Sequence, residues 1–152
     1  MNYKILFLCA CLIVSTTLLA GCGDGRGARV PVTGTVSIDG SPLKFGSVTF
    51  LPVSNDGGPK RAGGGSLDES GRFQISSFTP NDGLMVGKYE VMVMGVEPVS
   101  STSQKWHAPK KYSVAATSGL TAEVSADEEK NELKFELSWE GEKPSEPFVE
   151  NF

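Results

Sequence analysis

Few residues in this chain have side chains that could do chemistry. The chain has one histidine, His107, and three cysteines, Cys9, Cys11 and Cys22. A metal cage needs several His or Cys ligands, and a catalytic triad needs a nucleophile and an orienting acid beside its histidine. The residues around His107 form no such motif, which favours a surface-loop imidazole over a catalytic base. We therefore expect no catalytic residue, no metal site and no cofactor.

Two further segments have only a superficial likeness to binding loops. Residues 83–89 carry two glycines before Lys88, but they are one residue short of a phosphate-binding loop and lead into a predicted strand instead of a helix. Residues 68–71, Asp-Glu-Ser-Gly, lack the alternating oxygen ligands of a calcium loop and are better explained by a β-turn. Neither segment is a candidate site.

The candidate binding residues lie in a predicted long loop, 97–119, which shows no strand pattern. Loops above ~12–15 residues are uncommon in compact domains and tend to be functional or disordered. The centre of this loop gathers Trp106, His107, Lys110, Lys111 and Tyr112. Such side chains could stack on a sugar ring or dock an acidic partner. The alternative, which we favour, is a structural role in which the two aromatic rings pack the loop onto the domain while the lysines are solvated.

The first 22 residues have the order of an export signal. Lys4 is followed by an apolar stretch, 5–19, of roughly the ~7–15-residue length of a signal peptide core. A membrane-spanning helix needs about 20 apolar residues, so an uncleaved anchor is the less favoured alternative. The stretch ends in Leu-Ala-Gly-Cys at 19–22, which resembles the bacterial lipobox. That resemblance implies a signal peptide at 1–21, cleavage before Cys22 and a diacylglyceryl group on its thiol.

The remaining cysteine usage agrees with lipid attachment. Cleavage leaves Cys22 as the sole cysteine, so the exported chain can form no internal disulfide. Several acyl chains, such as palmitate, on one residue give a lasting membrane anchor. The second residue of the mature chain would be Gly23 and not aspartate. This resembles the pattern of lipoproteins that are sorted to the outer membrane. We expect a cell-envelope protein whose domain lies outside the cytoplasm.

The charge of the chain is mildly acidic. The formal net charge is −4, and removal of 1–21 takes away Lys4 and no acidic residue, which gives −5. Nucleic acids and anionic lipid surfaces attract basic patches. The composition therefore argues against nucleic acid as a partner.

About 130 residues remain after cleavage, which is enough for one domain. Residues 22–29 read as the acylated cysteine and a flexible tether, 30–140 as the domain, and 141–152 as a flexible acidic tail. Period-two alternation predicts strands, which are separated by turn residues such as Asp39-Gly40. These strands fall at 32–38, 47–50, 72–76, 88–94, 120–125 and 132–139, with a weaker, glycine-rich one at 61–67. The charged residues 127–130 read as a hairpin loop. We predict an all-β fold, a small antiparallel β-sandwich of six or seven strands.

The glycine and apolar positions of these strands resemble those of carboxypeptidase regulatory-like domains. The matching segments are VTGTV at 32–36, DGSPL at 39–43, GSVTF at 46–50, DESGRF at 68–73 and GKYEV at 87–91. The resemblance covers most of 30–139 and implies a transthyretin-like, or prealbumin-like, sandwich that serves as a non-catalytic accessory module. We therefore expect a lipid-anchored interaction or structural module that could hold an envelope protein or a glycan.

The alternative function is enzymatic. The transthyretin-like fold includes hydroxyisourate hydrolase, which uses several histidines with an arginine and ends in Tyr-Arg-Gly-Ser. This chain has only His107 and ends in Phe-Val-Glu-Asn-Phe. The departure affects the residues that would carry catalysis, so the resemblance does not extend to that activity.

Overall fold

The structure is a computed structural model that describes residues 27–53, 60–141 and 149–151. The predicted signal peptide and Cys22 lie outside these residues. Within the described ranges, no helix is both long and apolar enough to cross a membrane.

The described residues form eleven strands and little helix. The strands are β1 (Thr33–Ile38), β2 (Ser41–Pro42), β3 (Ser47–Pro52), β4 (Gly63–Ser66), β5 (Arg72–Gln74), β6 (Gly87–Met94), β7 (Val96–Ser100), β8 (Ser103–Trp106), β9 (Leu120–Val124), β10 (Glu132–Leu137) and β11 (Val149–Asn151). One short helix, α1 (Ala115–Ser118), and 3-10 helical turns at Lys110–Ser113 and Glu128–Asn131 complete the described structure.

The strands form three sheets. In the first sheet, β1 pairs with β10 along one side and with β2 and β5 along the other. The second sheet has the order β4-β3-β6-β9 and is antiparallel throughout. The third sheet is small and has the order β11-β8-β7, also antiparallel. The predicted all-β sandwich is confirmed, although β1 and β10 run parallel to each other and so depart from a wholly antiparallel pattern.

The core lies between the first two sheets. Alternate residues of each strand point to one face, so period-two apolar side chains line a common interior. Phe50 of the second sheet has its ring centroid 6.1 Å from those of Phe73 and Phe135, which belong to the first sheet. The same ring lies 6.1 Å from the ring of Tyr89 on the neighbouring strand β6. Phe50 therefore joins the two sheets at the centre of the cluster.

The glycines of β4 explain why a strand can form in so glycine-rich a segment. A Cβ on Gly63 would come within 2.6 Å of Leu84, and one on Gly65 within 2.2 Å of the carbonyl oxygen of Gln74. Gly64 also forms a bridge with Ser76. Only residues without a side chain allow β4 to approach this closely, so the weaker strand predicted at 61–67 is confirmed.

The loop that follows β5 holds the start of the domain. Val30 forms a β-bridge with Leu84, and Arg29 Nε lies 3.0 Å from an Asp82 carboxylate oxygen. Asp82 also accepts hydrogen bonds from the backbone N–H groups of residues 77–79. Burial opposes ionisation of Asp82, but these hydrogen bonds and Arg29 outweigh it and lower the pKa of the carboxyl. The first described residues are therefore attached to the domain.

Three predictions about connections need correction. The segment 97–119, which was predicted to be a long loop, contains most of the hairpin β7–β8, a 3-10 turn and α1. The prediction failed because the Ser, Gln and Lys residues of this segment alternate too weakly with apolar residues to show a strand pattern. Residues 127–130 are not a hairpin loop, since β9 and β10 belong to different sheets and the 3-10 turn at Glu128–Asn131 connects them. Residues 149–151 form β11 on the edge of β8, so the predicted flexible tail does not describe them. Residues 142–148 of that tail lie outside the described ranges.

Candidate functional site

The hairpin β7–β8 and the 3-10 turn after it position all five predicted binding residues. The hairpin folds back onto the end of β6, where His107 N donates a 2.7 Å hydrogen bond to the Gly95 carbonyl. A Cβ on Gly95 would lie 2.7 Å from the methyl group of Ala108, so the absence of a side chain permits this approach. Ala108 is completely buried in the core cluster. The segment after β8 is thus fixed to the sandwich.

Trp106 and Lys110 meet at one carboxylate. The indole Nε1 of Trp106 donates to Glu150 Oε2 over 2.9 Å, and Lys110 Nζ donates to Glu150 Oε1 over 2.6 Å. Gln104 Nε2 adds a 3.3 Å hydrogen bond to the same Oε2 atom. Lys110 Nζ also lies 5.2 Å from the centroid of the Trp106 ring. The hydrogen bonds from Lys110, Trp106 and Gln104 lower the pKa of Glu150.

Lys111 and Tyr112 form a second cluster beside the end of β10. Lys111 pairs with Glu140, and this hydrogen bond raises the pKa of the lysine. Its Nζ also lies 4.8 Å from the centroid of the Tyr112 ring. The Tyr112 hydroxyl accepts a 3.2 Å hydrogen bond from Ser138 N, and its ring belongs to the core cluster. This cluster attaches the 3-10 turn to the chain segment that leaves β10.

His107 belongs to neither cluster. Its Nε2 lies 2.7 Å from Glu97 Oε2 on β7, and its ring centroid is 4.7 Å from that of Phe45. The imidazole is about one-fifth exposed. These contacts join β7 to the loop before β3. They give His107 a structural role.

The five predicted residues therefore make three separate sets of contacts. Trp106 and Tyr112 are only 6% and 7% exposed, which agrees with the interpretation that their rings pin the segment to the domain. The lysines differ from that interpretation, because both are paired with glutamates instead of being simply solvated. A sugar that stacks on the face of either ring would first have to uncover it.

Sequence reasoning missed Gln104 and Glu150. Gln104 stands in a strand that was not predicted, and Glu150 stands in a segment read as a loose tail. The spacing of Gln104 and Trp106 is the one signal that could have revealed them, since residues two apart on a strand share a face. The carboxylate that they bind could not be located without the fold.

Elsewhere on the domain, polar groups have structural roles. Gly71 N donates a 2.9 Å hydrogen bond to the Asp68 carbonyl, which confirms the predicted β-turn at residues 68–71. The Asp68 carboxylate also accepts hydrogen bonds from the backbone N–H groups of Ser70 and Arg72. A surface cavity of about 480 Å³ lies beside this turn, where Arg72 and Glu132 approach to 4.0 Å and remain largely exposed. Among the described residues, no group of three or more His, Cys, Asp or Glu side chains is placed to hold a metal ion.

The site on β8 is thus a carboxylate-binding corner on the edge of a small sheet, built from Gln104, Trp106 and Lys110. Comparisons of the chain with protein-family models, with curated proteins and with solved structures found no match.

Proposed function

We propose that this protein is a lipid-anchored lipoprotein of the bacterial cell envelope, whose β-sandwich is a non-catalytic interaction or structural module. The single observation that carries the proposal is the Leu-Ala-Gly-Cys motif at 19–22, which follows a charged residue and an apolar stretch of signal-peptide length. Cleavage before Cys22 would leave that residue as the acylated start of the mature chain. The membrane would then be the first partner of the protein.

The position of the domain along the chain supports this proposal. Arg29, which contacts Asp82, is seven residues after Cys22. Seven extended residues reach about 25 Å at most, so an acylated Cys22 would hold the domain near the bilayer surface. The anchor would thereby place a module that binds an envelope protein or a glycan at a defined height.

The turns of the sandwich support membership of the carboxypeptidase regulatory-like class as part of the same proposal. Asp39 and Gly40 both have positive φ angles, 46° and 78°, as the Asp-Gly pair of a tight hairpin requires. Gly71, which closes the second turn of the resemblance, has φ +74°. The glycines on which the resemblance depends therefore have conformational roles. Such a module would bind without catalysis.

Replacement of Cys22 tests the anchor directly. In cells fed a labelled fatty acid, the wild-type protein should take up label, and Cys22→Ala should lose it and accumulate as precursor. Cys11→Ala is the matched control, because it removes a thiol from the same apolar region and should leave labelling intact. Label retained by Cys22→Ala would refute the proposal.

Sorting to the outer membrane depends on the residue after the cysteine. We propose that Gly23 permits transfer to the outer membrane, so fractionation should recover the wild-type protein there and Gly23→Asp in the inner membrane. Recovery of both proteins in the inner membrane would contradict this location without affecting lipid attachment.

A hydrolase assay tests the non-catalytic assignment. 5-Hydroxyisourate should hydrolyse no faster with the purified domain than in buffer alone. Hydrolysis that disappears in His107→Ala would overturn the assignment, since His107 is the one histidine of the chain.

A further inference from the structure

Three of the described residues, which form β11, pair with the outer edge of β8. Val149, Glu150 and Asn151 of β11 lie opposite Lys105, Gln104 and Ser103 in an antiparallel register. The Val149 side chain is 52% exposed, so it contributes little apolar burial. Among the described contacts, backbone pairing with β8 and the Glu150 carboxylate attach β11 to the domain.

The Glu150 carboxylate is held by a preformed set of donors. Gln104 and Trp106 are two residues apart on β8, so both side chains reach the same face of the strand. Lys110 approaches the other carboxylate oxygen from the 3-10 turn. The positions of these donors along the chain are fixed by pairing of β8 with β7 and by Tyr112, which attaches the 3-10 turn to the core.

We propose that the β8 edge is a docking site for an extended acidic segment of a separate protein, and that β11 occupies this site in cis. Recognition would combine strand addition, which supplies backbone hydrogen bonds, with a glutamate or aspartate opposite Gln104. This proposal deepens the interaction-module function and rests on it only for the cellular location of the partner. Lipid labelling of Cys22 and peptide binding at β8 can therefore fail independently.

The chemistry of the partner follows from the chemistry of β11. A neutral residue opposite Gln104 would leave the Lys110 ammonium and the indole N–H of Trp106 without the carboxylate that they now bind. The position before the acidic residue is less selective, because Val149 is largely exposed. The site should accept many extended peptides with one central acidic residue.

A covalently attached strand competes with such a partner at a high effective concentration, typically millimolar for a short connection. Weakening of β11 should therefore increase the affinity for a peptide added in trans. The test uses the mature chain, 22–152, carrying Cys22→Ser to keep it soluble. The probe is a fluorescein-labelled peptide of residues 145–152, Ser-Glu-Pro-Phe-Val-Glu-Asn-Phe, whose binding is followed by fluorescence anisotropy.

We expect the chain with Glu150→Ala to bind this peptide at least about tenfold more tightly than the chain with Glu150 intact. A second variant that lacks 149–152 removes β11 altogether and should bind at least as tightly. On either opened chain, a peptide carrying Glu150→Gln should bind about tenfold more weakly. In a chain that lacks 149–152, Trp106→Phe removes the indole N–H and should weaken binding of the wild-type peptide. The exposed control Lys134→Ala should leave that affinity unchanged.

Two results would overturn the proposal. In the first, the Glu150→Ala chain and the chain that lacks 149–152 both fail to bind the peptide, or both bind the wild-type and Glu150→Gln peptides with equal affinity. In the second, the intact chain forms a concentration-dependent dimer that the deletion of 149–152 abolishes, which would assign the β8 edge to a second copy of this chain.

Discussion

Replacement of Trp106 by alanine distinguishes a binding aromatic from a structural one. The indole is 6% exposed, and truncation of a buried aromatic to alanine costs ~3–5 kcal/mol. Burial of roughly 200 Å² at about 25 cal/mol per Å² gives ~5 kcal/mol, which is the upper end of that range. Trp106 lies outside the core cluster around Phe50, so its removal should leave a smaller cavity than removal of a central ring. We therefore expect the free energy of unfolding to fall by ~3 kcal/mol, the lower end of the range.

Urea denaturation of the soluble domain, followed by far-UV circular dichroism, measures this loss. With an m-value of about 2 kcal/mol/M, a loss of ~3 kcal/mol lowers the midpoint by roughly 1.5 M. The matched control is Val99→Ala on the same hairpin, where the side chain is 55% exposed and the change should stay within ~0.5 kcal/mol. An unchanged midpoint for Trp106→Ala would refute the structural role assigned to the ring.

Three further perturbations test the core, a buried polar contact and the acid response. Phe135→Ala should lower the free energy of unfolding by ~3–5 kcal/mol in the same urea assay, whereas the exposed Lys134→Ala should change it by less than ~0.5. Asn131→Ala should cost ~1–3 kcal/mol by calorimetry, because the buried amide bonds both Ser125 N and Ser125 O. The pKa of Asp82 is lowered below its ordinary value of 3.8, so the stabilisation from its carboxylate is present above that pH and is lost as the pH falls below it. Asp82→Asn should therefore flatten the fall in melting temperature on acidification below about pH 4.

The outcomes that would contradict these expectations are distinct. Equal losses for Phe135→Ala and Lys134→Ala would contradict the assignment of Phe135 to the buried face of β10 and of Lys134 to the exposed face. Lys134 is a better control than Glu136, the exposed residue on the other side of Phe135. Glu136 accepts hydrogen bonds from Ser37 and from Gly40 N, so its replacement would remove contacts of its own. A neutral Asn131→Ala would show that the 3-10 turn before β10 does not need its amide, and an acid response unchanged by Asp82→Asn would assign that response to other carboxyls.

The parts of the fold that sequence could predict are those with strong alternation. The strand around Phe135 was readable because apolar residues at every second position must share a buried face. The hairpin β7–β8 was not, since Pro98 and Ser100 interrupt its alternation and a bulge lies between them. Strand β11 was missed for a related reason: three residues are too few to show a period. Non-local pairing, not local pattern, defines both elements.

The candidate site was only partly predictable for the same reason. Trp106 and Lys110 stand out in the sequence as an aromatic and a cation four residues apart. The carboxylate between them, Glu150, is forty residues from Lys110 and comes from a segment with no recognisable pattern. Local sequence can indicate which donors are present, but the position of a distant acceptor depends on how the sheets assemble.

The parallel pairing of β1 with β10 also determines when the domain can fold. Thr33 lies beside Glu132, so about a hundred residues of chain must be present before the first strand meets its neighbour. Contacts of such large sequence separation close a long loop and give slow folding. Because β1 precedes almost the whole described domain and β10 follows most of it, the first sheet can be completed only after nearly all of the domain has been synthesised.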